Sequence, residues 1–335
     1  MSRRPCSPLP LLLLLPFLTT LGLSQSSDDV HITPAIRKEK PNAADGVGMH
    51  LSSLRVDVNL VTVPVVVTDL HGSPVLDLRK KDFQLVENQT EQHIDYFYSE
   101  DAPLSVGLIL DLSSSMGDKL DRVREAVDEF FNNADPRDDY FVITFADKAK
   151  VFADTTQSTA TIQARLAQMK AKGNTALADA IHLGLDKLKS AAYARKALVI
   201  VSDGADNRSR HSLGSVKRRA KEADAQIYAI NVCDNPAILI TKKLEERFGR
   251  RWLTQVSEIT GGRTISVDNA DAMPDAAARI SRELRNQYVL GYRPADITQD
   301  GKWRKIRVRV TRPPNPLPFQ VYYRTGYMAR KDERQ

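Results

Sequence analysis

Cysteine is nearly absent from this chain: 335 residues carry two, Cys6 and Cys233. One precedes an apolar N-terminal run and the other follows it, so a chain that loses that run keeps a single thiol and forms no internal disulfide. Cys233 ends the apolar stretch QIYAINVCD with no histidine close in sequence, which reads as a buried structural thiol and not a nucleophile. Histidine is also sparse. His31, His50, His71, His93, His182 and His211 are scattered without ligand spacing, and no HExxH zinc motif occurs. A glycine-rich phosphate loop and a GxSxG nucleophile elbow are missing as well, which removes the commonest nucleotide-binding and serine-hydrolase readings. A large excess of one charge sign is lacking too: the net value is +6 with no long basic run, so composition names no nucleic-acid partner.

Long hydrophobic runs are limited to one, Leu9 to Leu23, which is interrupted by Pro10 and Pro16 and falls short of the roughly twenty residues a membrane span needs. Arg3 and Arg4 precede it, and the small residues Gly22 and Ser24 end it. This is the anatomy of a secretory signal peptide over residues 1–24, and export to the periplasm, cell envelope or medium follows; a membrane anchor is the rival reading. Cleavage removes two arginines and no acid, lowering the formal charge from +6 to +4.

Residues 25–50 mix Ser, Asp, Lys, Pro and Gly without periodicity and read as a flexible leader. Residues 51–103 read as β structure. Val56, Val58 and Leu60 share one face, while Val61, Val63, Val65 and Val67 have the opposite parity, so a bulge or bend is expected between Leu60 and Val61. DLHGSP, with His71, is turn material, and DFQLVENQTEQHIDYFYSED predicts two more strands around a turn at Asn88 to Glu91.

From Leu104 the pattern changes to apolar strands alternating with amphipathic helices, the mark of a mostly parallel sheet covered on both faces. Strands are expected at VGLILDL, DDYFVITFA, AKVFAD, KALVIVSDG, AQIYAINV and GRTISV. Helices are expected at Lys119–Asn133, Thr159–Met169, Thr175–Ser190, Leu213–Asp224, a pair within Thr241–Thr260 stopped by Gly261 and Gly262, and Ala270–Asn286. Residues 287–328 return to β, with a tail at 329–335. In KWRKIRVRVTR, Ile306, Val308 and Val310 alternate with Lys305, Arg307 and Arg309, giving one core face and one basic face. Neither β segment is long enough for a core of its own. The expected architecture is therefore an α/β domain, 104–286, inserted between N- and C-terminal β segments that pack together as a small β domain.

Ligands of an open α/β sheet bind at the carboxyl ends of its strands. There the first strand of the α/β region delivers Asp111, Ser113 and Ser115 in a DxSxS spacing, the fourth delivers Asp203, and KGNTALADAI places Thr175 after a Gly173-Asn174 turn. Two acids and three hydroxyls form a hard oxygen set, suited to magnesium or manganese, with calcium also possible, and unsuited to zinc or copper. Such a site could leave a position open for a carboxylate from another protein.

With these three separated motifs in order, the region 104–286 resembles a von Willebrand factor type A domain, and Asp111, Ser113, Ser115, Thr175 and Asp203 match its metal-ion-dependent adhesion site. The flanks are similar to exported bacterial proteins of a related family common in Acidobacteria, apart from ENQT, where an Asp-Gly turn is more usual. The resemblance implies a Rossmann-like doubly wound fold, a divalent cation, recognition of a protein that presents Asp or Glu, and a shift of the last helix as the coupling device.

Other readings attach to the same residues. Ser113 to Ser115 alone could cap the helix beginning near Lys119. Ser114 and Ser202 read as loop geometry, Gly117 and Gly204 as tight turns, Asp206 and Asn207 as loop polarity, and Asp179 and His182 as groups behind or beside a site. Asn88 and Asn207 begin NxS/T sequons. A dehalogenase-like phosphatase needs a second acid two residues after Asp111, where Ser113 stands. The expectation is an exported, non-catalytic, metal-dependent binding protein; a metal-dependent hydrolase and a scaffold with a vestigial metal site are the alternatives.

Overall fold

The computed structural model describes residues 60–100, 102–232, 242–311 and 319–331. The expected signal peptide and leader, the strand residues before Leu60, and Cys6, His31, His50 and Cys233 lie outside them. Among the described residues no helix is long and apolar enough to cross a membrane.

The chain opens with β1 (Val61–Thr68), β2 (Phe83–Glu87), β3 (Thr90–Gln92) and β4 (Tyr96–Glu100). Sequence reading expected two strands after the first loop; there are three. β2 and β3 meet through a two-residue turn in which Asn88 (φ 45°) and Gln89 (φ 78°) are both left-handed, the geometry of a tight hairpin. β4 then leaves for a different sheet, pairing with β11 instead of β3. The phase slip expected at Leu60 and Val61 falls where β1 begins. Within β1, Val63, Val65 and Val67 are buried as anticipated, but so are Val66 and Thr68, because this strand is covered on both faces.

The α/β part follows as β5 (Leu104–Asp111), α1 (Leu120–Asn132), β6 (Asp139–Phe145), β7 (Ala149–Thr156), α2 (Thr159–Leu166), α3 (Leu177–Lys189), β8 (Arg195–Ser202), α4 (Leu213–Glu222), β9 (Gln226–Val232), α5 (Lys242–Thr260), β10 (Thr264–Val267) and α6 (Met273–Arg285). The six strands are ordered β10-β9-β8-β5-β6-β7, all parallel except β7 at one edge. Every residue of β5, β6 and β9 is buried, as a sheet with helices on both faces requires. One apolar cluster joins the sheet to α1, α2 and α6, and a second joins the other face to α3, α4 and α5.

Two helix expectations need correction. Lys242–Thr260 is one continuous helix, not a pair. Gly249, inside it, does not break it: the helix backbone there presses against the loop after β8, and a Cβ on Gly249 would lie 1.6 Å from the Gly204 carbonyl oxygen. The last helix is α6 preceded by a separate short turn at Ala270–Ala272, where the Asn269 side chain accepts from the Ala272 N–H.

The chain closes with β11 (Gln287–Tyr292), β12 (Trp303–Val310), β13 (Gln320–Tyr323) and β14 (Gly326–Met328). N- and C-terminal segments interleave into two four-stranded sheets, β13-β1-β11-β4 and β14-β12-β2-β3. They share one core containing Val63, Val65, Leu85, Tyr288, Leu290, Ile306 and Val308. Buried Glu87 bridges them, accepting from the hydroxyls of Tyr292 (2.6 Å) and Tyr327 (3.1 Å). Where the α/β part leaves and returns, Glu100 and Gln287 are direct partners across β4 and β11. The α/β fold inserted between β segments is thus present.

Candidate metal centre

Sheet order explains where a ligand would sit. From β5 the chain first builds outward to β6 and β7, then returns to the other side of β5 with β8. That reversal opens a crevice at the carboxyl ends of β5 and β8. Leu110 pairs with Val201, so the residues leaving those two ends emerge side by side.

Asp111 is the last residue of β5 and is fully buried. One oxygen accepts from the Ser113 N–H at 2.9 Å, and the other accepts from the Ser202 hydroxyl at 2.6 Å. Burial, reinforced by the nearby Asp203 carboxylate, pushes its pKa up to about 7 against the hydrogen bonds that favour its charged form. Ser113 Oγ lies 3.1 Å from Ser115 Oγ, and Ser115 Oγ donates to Asp203 at 2.5 Å. The side-chain oxygens of Ser113, Ser115 and Asp203 are thereby brought into one chain, to which Asp111 is joined through the Ser113 N–H. The capping alternative is not what is seen: Ser113 precedes the short turn Ser114–Lys119 without a side-chain cap bond, and α1 follows with Lys119, not a serine, at its cap position.

Thr175 sits two residues before α3, also buried, and its peptide is held by the Asp203 loop. Its N–H donates to Asn207 Oδ1 at 3.0 Å, and its carbonyl accepts from the Asn207 and Arg208 N–H groups. The loop before it is tied to DxSxS instead: Ser114 N–H donates to the Gly173 carbonyl, Gly173 N–H donates to Ser114 Oγ, and Lys172 N–H donates to the Leu112 carbonyl. Gly173 turns with φ +105°, and a Cβ there would meet the Asp147 carboxylate at 2.7 Å. Asp147 in turn accepts from both the backbone and the side-chain amide of Asn174. Three loops distant in sequence are laced together by hydrogen bonds from backbone N–H groups.

Several residues read from sequence as mere loop polarity have definite tasks. Ser202 orients Asp111, Ser114 fastens Gly173, Asn207 positions Thr175, and Asp206 accepts from the Ala178 and Ser209 N–H groups. Lys119, buried, donates to the Ser115 carbonyl. Asp179 is a positioning group, accepting from the Arg210 and His211 N–H groups and from the His211 ring. Their short polar side chains close to the motif were the available signal; which bond each makes depends on loop packing that spacing does not encode.

Among the described residues no group of three or more His, Cys, Asp or Glu is placed to hold a metal. Any cation here would depend on hydroxyls beside the two carboxylates, and the donor chemistry fits a hard ion. In an octahedron with bonds of about 2.1 Å, adjacent oxygens stand about 3.0 Å apart, and Ser113 and Ser115 already hold theirs at 3.1 Å.

Residues 106–205 match the family model for the von Willebrand factor type A domain. No curated protein matches the chain. Among solved structures it is similar to a von Willebrand factor type A protein from Catenulispora acidiphila (13% identity, 82% of this chain and 64% of that one, TM-score 0.48). It is also similar to the conserved hypothetical protein BatB from Bacteroides thetaiotaomicron (18% identity, 55% and 100%, TM-score 0.42) and an aerotolerance-related membrane protein from Bacteroides fragilis (19%, 54% and 98%, 0.44). The matched span opens within β5 and closes just beyond Asp203, so the segment that holds all five candidate ligands is the one that matches the von Willebrand factor type A model.

Proposed function

We propose that this chain is an exported, non-catalytic binding protein whose Asp111, Ser113, Ser115, Thr175 and Asp203 hold a divalent cation, magnesium first, and through it engage a carboxylate of a protein partner. The observation that carries this reading is the meeting of the Ser113, Ser115 and Asp203 side-chain oxygens, with Asp111 behind them, at the crevice between β5 and β8. When bound, the cation supplies an electrophilic centre with a coordination position open to an outside oxygen ligand. Ser113 and Ser115 present neutral oxygens, which leave more positive charge for that ligand than carboxylates would. Asp111 and Asp203 balance the ion, and Ser202 and the Ser113 N–H keep Asp111 aimed.

Movement of α6 on binding belongs to the same proposal. α6 packs along α1, where Ser281 Oγ donates to the Phe130 carbonyl, and α1 follows directly on the Ser114–Lys119 turn. The test is isothermal titration of magnesium into wild type and Asp111→Ala. Binding by wild type alone supports the site, and equal binding by both removes it. Partner capture from the native envelope should then be lost on adding EDTA.

A further inference from the structure

The four-stranded sheet β14-β12-β2-β3 has an outer face that neither its core nor the cation site uses. β12 is an inner strand of this sheet, and its inward and outward residues are treated differently. Inward-facing Arg304 is buried and neutralised by Asp296 and Asp300. Lys305, Arg307 and Arg309 all point outward and are exposed. Among the described residues no carboxylate pairs with any of the three, although the same chain ties Arg122, Arg137, Arg219, Arg263, Arg293 and Arg324 to acids elsewhere. Two-residue steps along a strand set neighbouring cations about 6.8 Å apart, so the row repels itself and gains nothing for the fold.

The row has a shape as well as a charge. Lys305 and Arg307 form one wall of a shallow depression of about 230 Å³ whose remaining lining is Val86, Asn88 and Gln89. The hairpin turn that closes it is anchored to the basic strand: Asn88 Oδ1 accepts from the Lys305 N–H at 2.9 Å, and the Asn88 N–H donates to the Lys305 carbonyl at 3.0 Å. The amide of Asn88 therefore stands at a fixed place beside the two cations, with Gln89 next to it in the lining. The one acid on β3 nearby, Glu91, is opposite Val86, a further strand away from Arg307.

We propose that this face docks a linear acidic polysaccharide, with Lys305, Arg307 and Arg309 meeting successive carboxylate or sulfate groups and the Asn88 and Gln89 amides meeting hydroxyls. Cations in a single file suit a chain better than a plane, and the lining of the depression offers one half-buried apolar side chain, Val86, where a membrane-binding face needs protruding ones. Single-stranded nucleic acid is held on aromatic platforms as well as by cations. The aromatic residue of the row, Trp303, already has the Lys221 ammonium over its ring, 4.8 Å from the centroid.

The experiment is binding of full-length protein to polygalacturonate, with anionic phospholipid vesicles, oligodeoxythymidylate and poly-glutamate as comparison probes. Polygalacturonate should bind, weaken about tenfold or more between 50 and 200 mM salt, and be indifferent to EDTA, which separates this surface from the cation site. Lys305→Glu combined with Arg307→Glu should cost more than tenfold in affinity at an unchanged thermal midpoint. Glu91→Lys should bind more tightly than wild type, a gain that misfolding cannot imitate. Equal binding by wild type and the double reversal overturns the proposal, as does tighter binding of any comparison probe.

Discussion

The rings of His182 and His211 stack, with centroids 3.9 Å apart and planes 15° from parallel. One belongs to α3, which follows Thr175, and the other to the loop that carries Asp203, so the pair fastens together two of the three loops of the candidate metal centre. His211 Nδ1 is 2.7 Å from Asp179 Oδ1, and His182 Nε2 is 2.9 Å from Ser215 Oγ.

Stability is expected to fall in mild acid through the buried His182 of this pair. Burial first, then the positive neighbours His211 and Arg219, hold His182 below its ordinary pKa of 6.5, against the smaller pull of Asp186 and Asp179. Below about pH 6.5 the unfolded chain takes up a proton that the folded chain resists, so this contribution is complete above that value and is lost as pH drops beneath it. Urea midpoints should fall between pH 7 and pH 5 for wild type and fall distinctly less for His182→Gln. Identical slopes in the two proteins would show that the stack does not titrate as described.

Magnesium should raise the thermal midpoint of wild type, since a ligand that binds only the folded state stabilises it in proportion to ln(1 + [L]/Kd). Asp203→Asn should abolish the rise. Ser202→Ala should keep part of it, because it removes an orienting hydrogen bond to Asp111 and no candidate ligand; a loss of about tenfold in magnesium affinity corresponds to the roughly 1.4 kcal/mol such a bond supplies.

Gly249→Ala reverses the usual rule for helices. Alanine in a helix interior is ordinarily worth about 1 kcal/mol over glycine, but here the added methyl would sit 1.6 Å from the Gly204 carbonyl oxygen. Destabilisation of about 2 kcal/mol or more is expected from that overlap, measured by denaturant unfolding. Because Gly204 adjoins Asp203, magnesium binding should weaken in the same variant.

Gln89→Gly should stabilise the protein by about 0.5–1 kcal/mol. Gln89 holds φ 78° in the β2–β3 turn, a conformation that costs a residue with a Cβ about 1–2 kcal/mol, partly offset by the greater freedom glycine has when unfolded. A midpoint unchanged or lowered in urea would place the cost elsewhere.

Much of this was legible beforehand. Strand ends were readable because apolar runs such as VGLILDL stop at polar residues, and the order of those strands put Asp111, Thr175 and Asp203 at one edge before any coordinates. The continuity of α5 is not visible in the sequence, because the space beside Gly249 is set by the Gly204 loop, a tertiary contact with no local mark. The strand at Thr90–Gln92 is three residues long and carries no apolar residue, so periodicity cannot separate it from β4. ENQT, where the resembled family more usually has Asp-Gly, forms the expected turn, with Asn88 accepting from Lys305, a residue 217 positions away. The tasks of Ser202, Ser114 and Asn207 were hidden for the same reason, since each bonds a group on a different loop.

The pairing of Glu100 with Gln287 has a mechanical consequence. Both ends of the α/β insert are stitched to each other inside the sheet β13-β1-β11-β4. Tension applied to the chain at Leu60 and Lys331 is carried by the β strands, and the insert lies outside the load path until the β4–β11 ladder parts. A protein tethered at both ends could therefore be stretched without deforming the crevice between β5 and β8, whereas a pull on a ligand held at that crevice would be delivered straight down β5 onto the ladder.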